Sequence, residues 1–365
     1  MKKDASKKLI QNSLWSFSSS LVSRIGALIF TIVLARFLLP ENFGIYSLII
    51  SISFIFMTFF HSGLNETFLR YLSEDLAKRN ENRAKALFKY LLTLKFVISG
   101  FISLMLLFLA YPLAYYIFYK PAIFLPLLFS AIYIFVYSFE EFFSSIFFAL
   151  KKVQYVLIKE TLSQTIKILL SLGVFLILSS AYYISGIIFG LVVTSLMVLS
   201  FVFYYIHKLM PGLFAKSKNL PKSDKKRILR FLFYLSIGTI SFTFFGYIDI
   251  LMLGLLIEDP AFIGYYRSAF ALVSSIGGLL TFSYVLLPFF TQVKKNKISG
   301  VFNKVFKYAM FLAIPASFGT FILAKHILIV VYGQEYLLAT LPLYVLSLLI
   351  IFGVLVTLFI NLFSA

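Results

Sequence analysis

The 365-residue sequence has no cysteine, one tryptophan, three histidines and only 14 acidic residues. The missing cysteine excludes a disulfide scaffold and a Cys-ligated zinc site. Charged residues make up 13% of the chain, about half the share found in soluble globular domains. The chain has no Walker A loop, no dinucleotide-binding glycine fingerprint, no His-Glu-x-x-His and no Gly-x-Ser-x-Gly, so the usual soluble-enzyme signatures are missing and no cofactor is implied. What the chain has is apolar residues, 61% of the total, with 45 Phe and 23 Tyr. That excludes disorder and exceeds what a soluble core of this length could hide. The remaining class is a polytopic membrane protein.

A helix needs about 20 apolar residues to cross about 30 Å of hydrocarbon. Ten stretches qualify: 12–37, 43–65, 88–110, 122–148, 155–178, 183–206, 231–257, 262–287, 306–330 and 338–362. Each is long and apolar nearly all round, unlike the short alternating strands of a barrel. The first is too long for a signal-peptide core and lacks a small-residue cleavage site. With the N-terminus in the cytoplasm, 26 of the 33 Lys and Arg fall on the inside and only Arg36, Lys120 and Lys325 on the outside. This positive-inside pattern accounts for the net charge of +19 without a nucleic-acid partner. It predicts a multi-pass plasma-membrane protein whose basic loops face anionic inner-leaflet lipid. The outside loops are too short for an extracellular domain or a catalytic loop.

The chain also repeats. A shift of 220 residues puts Ser16 on Ser236, Gly26 on Gly246, Pro40 on Pro260, Gly44 on Gly264 and Tyr46 on Tyr266. A shift of 218 puts Phe88-Lys89-Tyr90 on Phe306-Lys307-Tyr308. Six spans separate the two copies, so the repeat is parallel, and such transporters place their site at the interface between the halves. The expected division is a six-helix bundle over 1–218 and a second bundle over 219–365. The second bundle holds four spans where the repeat calls for six, so a C-terminally truncated or incomplete chain is expected.

Intramembrane charge is costly and usually faces a cavity or a partner. Span 1 carries Ser16, Ser19, Ser23 and Gly26 on one helical face, and span 7 carries Ser236, Thr239, Thr243, Gly246 and Asp249. Close helix packing through small residues explains the stripes but not Arg24 or Asp249. Arg24 suits a phosphate, because guanidinium is planar and always charged; a structural ion pair, with Asp249 among the partners, is the alternative. Asp249 equally suits a proton or sodium ion. Lys95, Lys167 and Arg267 are further cationic candidates, although Arg267 is near enough to the outer surface to snorkel. Glu140, Glu141 and His61 complete the titratable set as candidates for ion coupling. In the inside loops, Ser73-Glu74-Asp75 suggests the N-cap of a surface helix running to Lys89, and 216–230 an interfacial linker.

Certain motifs resemble a family. Asn12-Ser13-Leu14-Trp15, Ser23-Arg24-Ile25-Gly26, Leu34-Ala35-Arg36-Phe37-Leu38 and Pro40-Glu41-Asn42-Phe43-Gly44-Ile45-Tyr46 are similar to the opening of the polysaccharide transporters, the Wzx-type flippases. Tyr332-Gly333-Gln334-Glu335-Tyr336, with Ala339 and Pro342, resembles that family's stretch between spans 9 and 10. The resemblance implies the fold of the multidrug/oligosaccharidyl-lipid/polysaccharide superfamily, an all-α arrangement of two bundles around a central cavity. It implies a flippase, not an enzyme, that moves polyprenyl-(pyro)phosphate-linked oligosaccharide to the outer leaflet by alternating access, coupled to an ion. The partners it implies are the lipid-linked oligosaccharide, membrane lipids and polysaccharide assembly proteins. A cation-coupled multidrug antiporter and a lipid II flippase are the alternatives within the superfamily. A non-transporting scaffold of a polysaccharide export complex is the alternative outside it.

Overall fold

A computed structural model of the chain describes residues 2–61, 63–215, 217, 219–280 and 298–364. Among these there is no strand. The helices are α1 (Lys2–His61), α2 (Leu64–Ala77), α3 (Glu81–Pro112), α4 (Phe124–Ala149), α5 (Gln154–Ile177), α6 (Tyr183–Leu209), α7 (Lys222–Leu256), α8 (Pro260–Leu280), α9 (Ile298–Ile322), α10 (Ala324–Val331), α11 (Thr340–Ser347) and α12 (Leu349–Ser364).

Eight helical stretches among the described residues are long and apolar enough to cross a membrane, where the sequence suggested ten. The expected spans 12–37 and 43–65 form one continuous stretch, Gln11–Thr58, bent at Leu39 (φ 61°, ψ 170°) ahead of Pro40. Proline has no N–H to donate, and its ring keeps the preceding residue out of the helical region, so the break falls where two spans should join. The expected span 262–287 runs past α8 into residues outside the described set. One expectation fails outright. Ser73 lies inside α2, and the helix start before Lys89 belongs to Asn80, whose side chain accepts from the Arg83 N–H at 3.2 Å.

Contacts divide the chain into two compact units, residues 1–44 with 259–365, and residues 45–258. This division differs from the sequence halves: the first span packs with the second half's later helices, and α7 packs with the first half.

In the unit of residues 1–44 and 259–365, α1 and α8 meet through repeat-equivalent residues. A Cβ added at Gly44 would overlap the Pro260 carbonyl oxygen, and one added at Gly264 would overlap the Pro40 carbonyl oxygen. The contact is reciprocal, as a local two-fold between homologous segments requires. The stretch Gln334–Ala339 is anchored beside it. Tyr336 is fully buried and its hydroxyl donates to the Ala35 carbonyl at 2.9 Å, with the Phe43 ring edge-on. Arg36 donates to the carbonyls of Val331, at 2.8 Å, and Val330. Those carbonyls end α10 and lack helical partners, so a guanidinium satisfies them and the helix dipole together. Further along, the Ser317 hydroxyl donates to the Ser347 carbonyl at 2.9 Å, and Ala313, Val354 and Leu358 form a core with Phe302 and Phe306.

In the unit of residues 45–258, Gly63 starts α2 with φ 82°. Its bare Cα lets α7 close in: a Cβ there would lie 3.1 Å from the Leu235 Cβ and the Ser236 nitrogen. At the same end Arg83 bridges Asp75 at 3.0 Å and Asp224 at 3.1 Å, tying α2, α3 and α7 together. Burial raises the Asp75 carboxyl above its usual pKa, and Arg83 opposes the shift. At the far end of α7, Lys120 is buried and donates to the carbonyls of Gly254 at 3.0 Å and Ile257 at 2.9 Å. Burial pushes its pKa below the usual lysine value. A shift of 216 residues puts Pro126 on Pro342 and Lys120 on Tyr336. The two copies therefore tether equivalent helix ends with different side chains, a phenol in one and an ammonium in the other.

Two of the three cations expected on the outside, Arg36 and Lys120, thus serve as helix caps. Lys120→Met should cost about 1–3 kcal/mol by leaving buried carbonyls without their donor. The check is the thermal midpoint of the detergent-purified chain; an unchanged midpoint would refute the capping role.

Candidate functional site

In the unit of residues 45–258 the charges expected inside the membrane converge. Lys159, near the start of α5 and 3% exposed, reaches Glu140 at 3.2 Å, Glu141 at 2.5 Å and Glu160 at 3.0 Å. Glu140 and Glu141 are neighbours on α4 and point about 100° apart, yet one flexible ammonium spans both. The Glu140 contact has ion-pair distance without hydrogen-bond alignment, since its Oε1 finds no hydrogen-bond donor. Glu141 also acts electrostatically on Lys95, and Glu160 and Glu140 act on Lys167. Glu66 also acts on Lys95, so three lysines face four carboxylates, and the opposite charges make burial tolerable.

Lys95, on α3 and 1% exposed, lies 3.3 Å from the Asn65 side-chain oxygen and over the Phe142 ring. One turn further along α3, the Ser99 and Ser138 hydroxyls are 3.0 Å apart. Toward the other end of α4, Tyr133 and Tyr137 surround Phe54, which stacks on Tyr247 of α7 at 6.0 Å between ring centres. The unit therefore holds a belt of charged, hydroxyl and aromatic groups.

Arg24 and Arg267 fall in the unit of residues 1–44 and 259–365. Arg24 is half-buried and forms no ion pair among the described residues. Its guanidinium lies against Gly278 of α8, in space that a Cβ there would occupy. Arg267 sits over the Phe270 ring, 5.7 Å from its centre. Asp249 belongs to the unit of residues 45–258, half-buried, with its Oδ1 accepting the Ile250 N–H at 2.8 Å. His61 ends α1, and its side chain lies outside the described residues.

The structure brings Glu140, Glu141, Lys95 and Lys167 into one network, while Arg24 and Arg267 belong to the other unit. Sequence reasoning missed two residues, one in the network and one beside Arg24. Lys159 lies at the edge of its span, where position alone assigns it to the cytoplasmic loop; its place one residue before Glu160 was the available signal. Gly278 carries no signal in a single sequence, because its role appears only when α1 lies against α8.

The fold is that of the transporters of the MOP superfamily. A multidrug resistance MATE family transporter in its outward-facing conformation matches with a TM-score of 0.65 at 14% identity, covering 98% of this chain and 82% of that one. The lipid II flippase MurJ in its inward closed conformation matches with a TM-score of 0.71 at 17% identity, covering 96% and 76%. A MOP superfamily transporter from Pyrococcus furiosus, described as having a binding pocket of reversed polarity, matches with a TM-score of 0.64 at 13% identity, covering 98% and 82%. No curated protein matched the sequence.

A fold shared by drug transporters and a lipid flippase does not choose between them. The family model for polysaccharide biosynthesis proteins matches residues 9–294, and the chain belongs to that family.

Proposed function

We propose that the chain is a flippase rather than an enzyme. It carries a polyprenyl-(pyro)phosphate-linked oligosaccharide from the cytoplasmic to the outer leaflet of the plasma membrane by alternating access. The observation that carries this reading is the family match over residues 9–294, because the fold alone is common to other substrates. Arg24 supports it. Like Arg267 it stands outside the lysine–carboxylate network, and a guanidinium binds phosphate oxygens in a two-pronged geometry.

In this reading Lys95 and Lys167 hold the shape and charge balance of the polar belt, and Arg267 is a secondary cation. Asp249 is the first candidate for a coupling ion, and Glu140 and Glu141 are the next. The N-terminus faces the cytoplasm, as the loop charges favour, and polysaccharide assembly proteins receive the product.

The test is flipping of a lipid-linked oligosaccharide in vesicles containing the purified chain. Arg24→Ala should lower the rate by about 10–100-fold, the loss expected for one charge-assisted phosphate contact. Gly278→Ala should lower it without unfolding the chain, since the displaced group is the free end of a flexible side chain. Normal flipping by Arg24→Ala would remove the phosphate role. Ion-driven efflux of cationic drugs without oligosaccharide flipping would favour a multidrug antiporter instead. Flipping of lipid II alone would favour the lipid II reading, and neither activity in a well-folded chain would favour a scaffold.

A further inference from the structure

The base of α7 has two faces with opposite fates. One is fully engaged: Asp224 pairs with Arg83, Ile228 is buried, Arg227 sits over the Tyr71 ring and Phe231 lies under Arg70. The other face carries Lys222, Lys226, Leu229, Arg230, Phe233 and Tyr234, which with Lys225, itself over the Tyr90 ring, line an open groove. All six are exposed, and Phe233 and Tyr234 expose about three-fifths or more of their surface. Lys222, Lys226 and Arg230 form no ion pair among the described residues. No carboxylate lines this groove, because the one acid of the first turn, Asp224, is held by Arg83 on the opposite side.

Length fixes the depth of this face. The 35 residues of α7 extend about 52 Å at 1.5 Å per residue, whereas the hydrocarbon is about 30 Å thick. The end of α7 is apolar and its beginning is basic, so the excess length falls on the basic turns. They lie at headgroup level, and Phe233 and Tyr234 lie where aromatic residues favour the boundary with the acyl chains.

We propose that this face of α7 is a binding site for an anionic phospholipid of the cytoplasmic leaflet. Lys222, Lys226 and Arg230 hold the phosphate, and Leu229 and Phe233 lie along the first acyl carbons. Charge complementarity selects the occupant: three exposed cations that form no ion pair among the described residues meet a leaflet that supplies phosphate anions already fixed at this depth. The site rests on the orientation proposed above but not on the transported substrate, so it is testable without any glycolipid.

The experiment is native mass spectrometry of the full chain released from bilayers containing both phosphatidylglycerol and phosphatidylcholine. The wild type should retain phosphatidylglycerol over phosphatidylcholine by about tenfold or more. The variant Lys222→Gln/Lys226→Gln/Arg230→Gln should lose that preference, and high salt should remove it from the wild type. The control Lys151→Gln/Lys152→Gln/Lys208→Gln removes equal charge on the same expected side and should keep it. Equal preference in the wild type and the α7 variant would overturn the site, as would equal loss in the control. Displacement of the lipid by inorganic phosphate would mark a free-anion site and overturn it too. The salt series uses the wild type, so a preference that persisted at high salt would overturn the site even if the α7 variant folds poorly.

Discussion

Gly44→Ala and Gly264→Ala should each destabilise the chain by about 3 kcal/mol or more, at the upper end of overpacking costs. In each, the new methyl group meets a backbone carbonyl, Pro260 for Gly44 and Pro40 for Gly264. Backbone cannot rotate aside as a side chain can, so α1 and α8 must separate along the contact. The two effects should be far from additive, because the first substitution already parts the helices that the second would part. Gly100→Ala and Gly246→Ala serve as controls, since a Cβ at either meets nothing within 4 Å, and helix propensity favours alanine there by about 0.5–1 kcal/mol. Thermal midpoints in detergent distinguish the two classes. Gly44→Ala and Gly264→Ala that melt with the wild type would mean that the helices do not approach so closely.

The second large effect is expected at Lys159. Lys159→Met removes the cation that Glu140, Glu141 and Glu160 share and should cost about 3–5 kcal/mol, the penalty for stranding one side of a buried ion pair. Adding Glu140→Gln and Glu141→Gln to Lys159→Met should recover most of it, because neutral amides carry a smaller desolvation penalty than carboxylates. A Lys159→Met chain as stable as the wild type would show that the cluster is hydrated and not held by this ammonium. A triple variant no better than Lys159→Met would show that shape, rather than charge, is what Lys159 supplies.

Much of the architecture was legible because membranes simplify the sequence code. Apolar length marked nearly every span, and the repeat spacing paired Gly44 with Gly264 and Pro40 with Pro260 before any contact was known. Some of the missed parts have a decisive partner that lies far away in sequence. Nothing near Lys120 announces that it will cap α7, since its acceptors are backbone carbonyls more than a hundred residues on. Arg36 is the same case in reverse. Lys159 was misplaced because a span edge read from hydropathy is blurred by a turn or more, enough to move one lysine from the polar belt to the loop. Ser73 was misread because an acidic pair after serine suits a cap locally, while tertiary packing carries α2 straight through it. In the polar belt, the sequence marked Glu140, Glu141, Lys95 and Lys167 as unsuited to lipid and as partly offsetting charges, but not Lys159 as the ammonium that joins the carboxylates.

The exchange of the first span between compact units has a consequence for biosynthesis. Residues 1–44 leave the ribosome about 200 residues before the segment from Asp259 onward that they pack against. At about 5–20 residues per second, the wait is roughly 10–40 s. During that time α1 sits in the bilayer with Arg24 and a serine-lined face uncovered, and with the Ala35 carbonyl still awaiting Tyr336. A newly made chain therefore passes through a state that offers its polar surface to quality-control proteases and insertion chaperones. Synonymous changes that slow translation between residues 45 and 258 would lengthen that exposure without altering a single side chain.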